Sequence, residues 1–448
     1  MSNGSAGRPR CAVLVGPYLS GKTSLLESIL HITGATQRRG TVKDGNTVGD
    51  YAPEARKRQM TVEMVAADTT FLGDHWTFLD CPGSVEFSQD AYNACMVADV
   101  AVVVCEPEPD RALAVSPLLR FLDERRIPHM VFINKLDTAH DRVRDVLSAL
   151  QAVSERPLVL RQVPIRDGET VTGYVDLISE RAYRYQSGQE SALVALPEEM
   201  RERGQSARQE LLETLADFDD KLLEQLLEDT ELPKQDIYQY LAKTFHADNV
   251  VPVLIGAGER DHGVRRLLKA LRHDTPDVAA TRVRLGIETK GDVVVQVAKT
   301  LYAQHTGKLA IARVWHGELK EGMTLNGERL GSLVRLVGQQ QTKIPAARAG
   351  EVVGLGRFEG YKTGEILTPT GATRPNNWPP TLPPARLCAG HTRRKPQRRS
   401  QAFGCPAEAR RRGRVLFGRA QRRDASTAAL GSGRAAYPDR PRPAARQV

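Results

Sequence analysis

The sequence has 448 residues, a length that allows two to four domains, each with its own core, and it contains no run of 18 or more apolar residues, so no segment reads as a membrane-spanning helix. The net charge of +9 is unevenly spread: residues 373–448 carry 18 Lys/Arg against 3 acids, and the rest carries 45 basic against 51 acidic residues. A mildly acidic body therefore joins a strongly basic segment. The six cysteines (Cys11, Cys81, Cys95, Cys105, Cys388, Cys405) form no C-x-x-C pair, and Cys388-x-x-His391 lacks a matching second pair. Reduced thiols in a cytoplasmic protein, with neither a disulfide frame nor a zinc site, are expected.

Residues 1–10 are polar and Gly/Ser-rich and read as a flexible N-terminus without the apolar stretch of a secretory signal. Cys11–Val15 is an apolar run ending at a glycine, as a buried parallel strand does, and Ser24–Ile32 places Leu25, Leu26, Ile29 and Leu30 on one helical face. Further strands are expected at Met64–Thr70, Trp76–Leu79, Val100–Cys105, His129–Ile133 and Val250–Ile255. Helices are expected at Val85–Met96, Ala114–Arg125, Asp141–Ser154 and Gly263–Leu271. This alternation predicts an α/β domain over 11–275 with a doubly wound parallel sheet. Residues 156–249 interrupt it with β-like segments at Leu158–Val163, Thr172–Leu177 and Ala182–Tyr185. Charged helical segments follow at Pro197–Asp217, Asp220–Leu227 and Lys234–His246, so an α+β insertion is expected there. From 283 to 372 short glycine-broken β runs predict a separate all-β barrel, followed by a linker over 373–384.

Three segments fall at the ends of expected strands, where open α/β sheets bind ligands. Gly16-Pro-Tyr-Leu-Ser-Gly21-Lys22-Thr23 is a phosphate loop. Gly16 and Gly21 let backbone N–H groups turn inward at a helix N-terminus, Lys22 reaches the β- and γ-phosphates, and the Thr23 hydroxyl can ligate Mg²⁺. Ser20 and Ser24 flank the loop's functional end and belong to the same nucleotide contact set. In Asp80-Cys-Pro-Gly83 the carboxylate can hold Mg²⁺ directly or through water, and the Gly83 N–H can sense a γ-phosphate. In Asn134-Lys135-Leu-Asp137 the last carboxylate can accept from guanine N1–H and the 2-amino group. Adenine offers no such pair of donors, and a buried acceptor left unsatisfied costs about 1–3 kcal/mol. Asn134 ties this loop to the phosphate loop, the Lys135 stem covers the ring, and backbone N–H groups of Gly256-Ala257-Gly258 can meet guanine O6. The ordered set predicts binding of GTP and GDP with Mg²⁺.

Read with the insertion and the β-rich segment, these motifs resemble elongation factor G, the ribosomal translocase of the translational GTPases, from about Cys11 to Pro384. The resemblance implies a cytoplasmic, monomeric GTPase of translation that contacts rRNA and ribosomal proteins, with no membrane or DNA partner. Arg56-Lys-Arg-Gln-Met60-Thr61-Val62 resembles the family's first switch, which gives Thr61 a Mg²⁺ and γ-phosphate role. Asp80–Phe87 resembles the second switch. Two positions depart from the pattern. The family usually has histidine, which positions the attacking water, where this chain has Ser84, and aspartate where it has Leu19. Both bear on hydrolysis rather than binding, so slow turnover is expected, with Lys22, Thr61, Gly83 and Ser84 the residues nearest the chemistry. A GTP-dependent ribosome-binding module without translocase activity is the alternative.

Beyond residue 385 hydrophobic periodicity ends and Arg, Pro, Ala and Gly dominate. That composition suits a GC-rich gene read out of frame, and a frame change near 385 is the preferred expectation. An rRNA-binding basic arm (Arg393-Arg394, Arg398-Arg399, Arg410–Arg412) and a disordered tail are the alternatives. Few aromatic residues are present there to stack on bases.

Overall fold

The computed structural model describes residues 7–379 except 187, 229, 231, 290, 304–306 and 376–377. The expectations for 385–448, including Cys388, His391 and Cys405, lie outside the described residues.

In chain order the first elements are β1 (Arg10–Val15), α1 (Lys22–Ile32), α2 (Pro53–Arg58), β2 (Val65–Phe71), β3 (Asp74–Asp80), α3 (Ser88–Cys95), β4 (Val100–Cys105), α4 (Ser116–Glu124), β5 (His129–Ile133) and α5 (Val143–Gln151). They are followed by β6 (Leu158–Leu160), β7 (Gln162–Asp167), β8 (Thr170–Asp176), β9 (Arg181–Arg184), β10 (Ala192–Val194), α6 (Glu198–Ala216), α7 (Asp220–Leu227) and α8 (Lys234–His246). Then come β11 (Val251–Ile255), α9 (Val264–Asp274) and α10 (Val278–Leu285). The main sheet has the order β2-β3-β1-β4-β5-β11-β6, parallel except for β2 on β3.

The side-chain alternation of β1 sorts the core into two layers. Cys11, Val13 and Val15 pack with Ala94, Cys95, Leu119 and Leu122 on one face. Ala12 and Leu14 pack with Leu25, Leu26 and Ile29 of α1 and Leu267, Leu268 and Leu271 of α9 on the other. β1 thus leads into α1, and the C-terminal end of β3, at Asp80, meets Thr23 at the start of α1. Cys11, Cys81, Cys95 and Cys105 are buried and unpaired, because each fills a core position and none faces another at bonding distance.

The insertion carries an antiparallel sheet, β10-β9-β8-β7, and the helices α6–α8. Its own small core joins Leu177, Leu211, Leu215, Leu222, Ile237 and Leu241, while Phe245 at the end of α8 belongs to the main core. One β-like segment read as part of the insertion splits: Leu158–Leu160 pairs in parallel with β11 as the edge of the main sheet, and only β7 onward joins the second sheet.

The β-rich half starts later than its residue pattern suggests. Val283 lies in α10, which Asp277 caps by accepting from Ala280 N at 2.9 Å and Gly286 ends at φ 65°. The strands begin with β12 (Val294–Ala303) and β13 (Gly307–His316), whose inner faces bury Val295, Val297, Ala310, Ala312 and Val314 against Val353 and Leu355. Nor is this half a separate sheet. Strand Ser332–Val337 pairs with β2 at Val337–Ala67, and Gly338 N donates to Ala66 O at 3.0 Å. Among the described residues no helix is long and apolar enough to cross a membrane.

Candidate nucleotide site

The loop between β1 and α1 has three positive-φ residues, Gly16, Leu19 and Gly21. Gly21 has φ 89°, and a Cβ there would stand 2.3 Å from Asn134 Nδ2, so no other residue fits this junction. Leu19 has φ 66° and is 57% exposed. Aspartate tolerates that backbone region better than leucine does. The Lys22 ammonium closes the loop on itself by donating to Gly16 O at 3.1 Å and Pro17 O at 2.9 Å, and burial lowers its pKa. Ser20 is buried with its hydroxyl unpartnered among the described residues. The Ser24 hydroxyl reaches Glu259 at 3.3 Å.

In the first turn of α1, Thr23 Oγ1 donates to Asp80 Oδ2 at 2.9 Å. Thr61 Oγ1 donates to Asp50 Oδ1 at 2.9 Å, and the two hydroxyl oxygens stand 3.0 Å apart. Two hydroxyl hydrogens thus serve three short contacts. Once both go to carboxylates, lone pairs face each other across the third. Asp80 Oδ1 and Asp50 Oδ2 are buried without a partner among the described residues. Burial raises both carboxyl groups, Asp80 to about 7, although Lys22 pulls each downward. A hard dication among these oxygens would relieve the facing lone pairs, the orphaned carboxylate oxygens and the burial of charge together. Two hydroxyls and two carboxylates suit Mg²⁺ completed by phosphate and water. No cluster of three or more His, Cys, Asp or Glu side chains able to hold a metal occurs among the described residues, so nothing here matches an all-protein metal cage.

At the other end, Asn134 follows β5 and spans two loops. Its Nδ2 donates to Ser20 O at 2.9 Å, and its Oδ1 accepts from Gly258 N at 2.8 Å. Lys135, at φ 59°, donates from Nζ to Leu19 O at 2.6 Å and to Glu106 at 2.8 Å, which lays its stem along the loop. Asp137 accepts from Arg260 Nε at 2.8 Å. Ala257 N donates to His262 O at 3.0 Å. Gly256 N donates to Ile133 O at 2.9 Å, so all three backbone donors expected at guanine O6, Gly256, Ala257 and Gly258, are engaged within the chain, and a base must share or displace those bonds.

The cleft between these ends is small, about 170 Å³, and is lined by Lys22, Thr23, Ser24, Asp50, Thr61, Gly83 and Lys135 among others. Its size follows from the closures just described, with Lys22 folded onto its own loop and the two threonines in contact. Gly83 packs so closely that a Cβ would stand 2.4 Å from Lys22 Nζ. Ser84 does not line the cleft; its hydroxyl is turned to the Glu86 carboxylate. Asp50, Glu106 and Arg260 were not singled out by the sequence. Each lies in a polar loop with no periodic signal and becomes part of the site only through tertiary contact.

A phosphate loop feeding a helix, an Asp-x-Pro-Gly strand end and an Asn-Lys-x-Asp loop on one α/β sheet define a guanine-nucleotide-binding P-loop protein. Residues 8–277 match the family described as "Elongation factor Tu GTP binding domain", and residues 292–370 match "Elongation factor G domain 2". The chain belongs to this translational GTPase family, with an elongation factor G-type second domain. It is 47% identical over 386 residues to an "Elongation factor G-like protein" of Synechocystis sp., covering 86% of this chain and 57% of that one. It is 28% identical over 369 residues to "Elongation factor G" of Thermotoga petrophila, covering 78% and 53%. A crystal structure of a Thermus thermophilus protein superposes with a TM-score of 0.73 at 31% identity, covering 80% of this chain and 54% of that one. The chain thus spans somewhat more than half the length of these relatives.

Proposed function

We propose that this chain binds GTP and GDP with Mg²⁺ and acts as a monomeric, slowly hydrolysing switch on the ribosome in the cytoplasm. The observation that carries the reading is the double bridge of Asn134, which holds the phosphate loop and the Gly258 loop in one frame. In that frame Gly16, Ser20, Gly21, Lys22, Thr23 and Ser24 take the phosphates, and Asp137 with Lys135, Ala257 and Gly258 takes guanine. Thr23, Thr61 and Asp80, with Asp50 behind Thr61, hold Mg²⁺, which neutralises phosphate charge when bound. Lys22 offsets the developing charge on the transferred phosphoryl group, and Gly83 N–H reports the γ-phosphate. The names of the relatives support a role in translation. Coupling to translocation or to ribosome disassembly, through rRNA and ribosomal protein contacts, follows from the same likeness.

Slow turnover is favoured by Ser84, which is shorter than histidine, cannot carry a positive charge, and is engaged with Glu86. A missing water-positioning group costs on the order of 10²-fold in rate. Single-turnover GTP hydrolysis with and without ribosomes tests this. Tight guanine-nucleotide binding, weak ribosome stimulation, and a gain of about tenfold or more in Ser84→His are expected. An unchanged rate in that variant removes Ser84 as the limiting group. Tight GTP binding without any ribosome-stimulated turnover favours the second reading, a GTP-dependent ribosome-binding module. A chain that binds no guanine nucleotide refutes the proposal.

A further inference from the structure

A second cavity among the described residues is larger than the guanine cleft. About 630 Å³ in volume, it lies between the insertion (β8, β9, α8) and α9. That size falls in the range of small-molecule sites, roughly 300–1,000 Å³. One wall is aromatic: Tyr174 and Tyr183 stack with centroids 5.2 Å apart, and Tyr238 faces the same space from α8. The opposite wall is the start of α9, an eleven-residue helix whose N-cap Gly263 supplies no side-chain cap.

The charges lining the cleft do not cancel. Its three acids each have their own cation: Asp176 with Arg266 at 2.6 Å, Glu190 with Lys269 at 2.8 Å, and Asp261 with Arg39 at 2.9 Å. Arg181 and Arg265 form no ion pair among the described residues, and Lys234 donates only to the neutral Ser179 O at 2.7 Å. Arg266 itself, 10% exposed, has its Nη2 buried without a hydrogen-bond partner among the described residues. Three cations outside any ion pair, of which Arg265 lies within electrostatic reach of Glu190, a buried guanidinium shared by Asp176 and Tyr238, and a helix N-terminus thus stand across from a tyrosine wall. An anion alone leaves the aromatic wall unused, and an uncharged ring leaves the cations unused.

We propose that this cleft binds a small anionic ligand with a planar ring, of the nucleoside phosphate class, at a site distinct from the guanine cleft. The phosphate lies against Arg265, Arg266 and Lys234, where planar guanidinium forks and helix N–H groups suit it. The base lies against Tyr174 and Tyr183.

The test uses the full chain saturated with GDP, so that the guanine cleft is filled, and adenosine 5′-monophosphate as the probe in ligand-observed NMR titration. Saturable binding is expected, about tenfold weaker in Arg265→Glu/Lys234→Glu. If the double variant does not fold, the exposed Lys234→Glu alone decides, with about threefold weakening expected. No saturable binding overturns the site. So does binding insensitive to these replacements, the pattern that capture by the arginines of 393–412 gives. Inorganic phosphate displacing the probe with equal affinity overturns the assignment of a ring to the tyrosine wall.

Discussion

Asp68 sits in β2 with a carboxylate that the fold only half satisfies. Its Oδ1 accepts from Thr77 Oγ1 at 2.5 Å, while Oδ2 is buried without a hydrogen-bond partner among the described residues and lies 3.9 Å from His75, whose own pKa burial lowers. Burial pushes the Asp68 carboxyl up to about 7, against a smaller downward pull from the Thr77 hydrogen bond and Arg335. An unfolded aspartate titrates near 3.9, so between about pH 4 and 7 the folded chain holds a proton that the unfolded chain has lost. The contribution to stability is full below the unfolded value and is lost as pH rises through about 7. Asp68→Asn keeps an acceptor for Thr77 and removes the charge. It is expected to leave stability at pH 4 nearly unchanged and to raise it at pH 8 by on the order of 1–4 kcal/mol relative to the parent. Urea unfolding across pH 4–8 measures both, and parallel pH profiles for the two proteins refute the argument.

At the scale of elements, the segment leaving β3 is tightly constrained. At Gly83 a Cβ would meet not only Lys22 Nζ but the Pro17 carbonyl oxygen at 2.7 Å, and a backbone atom gives way less readily than a lysine tip. Gly83→Ala is therefore expected to push Lys22 or the segment itself out of place. The cost should be about tenfold or more in affinity for a non-hydrolysable GTP analogue and much less for GDP, measured by calorimetry. Equal losses for the two nucleotides would mean that Gly83 does not respond to the γ-phosphate. The elements legible in the sequence are those whose pattern is local. Asp220–Leu227 and Lys234–His246 emerge with the bounds their amphipathic spacing gives, and β4 and β5 with those of their apolar runs. The phosphate loop and Asn134 were legible for the same reason, since chemistry and strand–loop context occur within a few residues. Asp50 was not, because its place beside Thr61 depends on how the irregular stretch over 33–64 between α1 and β2, holding only the short α2, returns to the sheet. The placement of Leu158–Leu160 was missed because a three-residue apolar run carries no mark of which sheet it joins. The Arg260–Asp137 pair is likewise tertiary: nothing in Gly258–Asp261 says that the arginine turns toward a carboxylate 123 residues earlier.

For the described body of the molecule, a fully buried ion pair bridges the α/β and β-rich halves, beside a shared apolar cluster and the β2 strand pairing. Asp99 and Arg313 are both fully buried, 2.6 Å apart, where the start of β4 meets β13. Asp99 also accepts from Cys11 N at 2.8 Å and from Thr281 Oγ1 of α10 at 2.6 Å; Arg313 donates to Val97 O at 2.5 Å and lies over the Trp315 ring at 4.5 Å. Strand β1, the approach to β4, helix α10 and strand β13 thus share one polar node. Buried ion pairs contribute little net stability, but removing one partner leaves the other charge stranded, at about 3–5 kcal/mol. Arg313→Met is expected to cost that much, and Asp99→Asn somewhat less because an amide still satisfies Thr281 or Cys11. The double variant should cost clearly less than the sum, with a coupling of more than about 1 kcal/mol. The same replacements separate two accounts of how the halves cohere. If the node joins them, the parent is expected to unfold in denaturant in one transition and Arg313→Met in two, the β-rich half melting apart from the α/β half. A single transition merely shifted to lower denaturant would assign the coupling to the apolar contact and the β2 strand pairing instead.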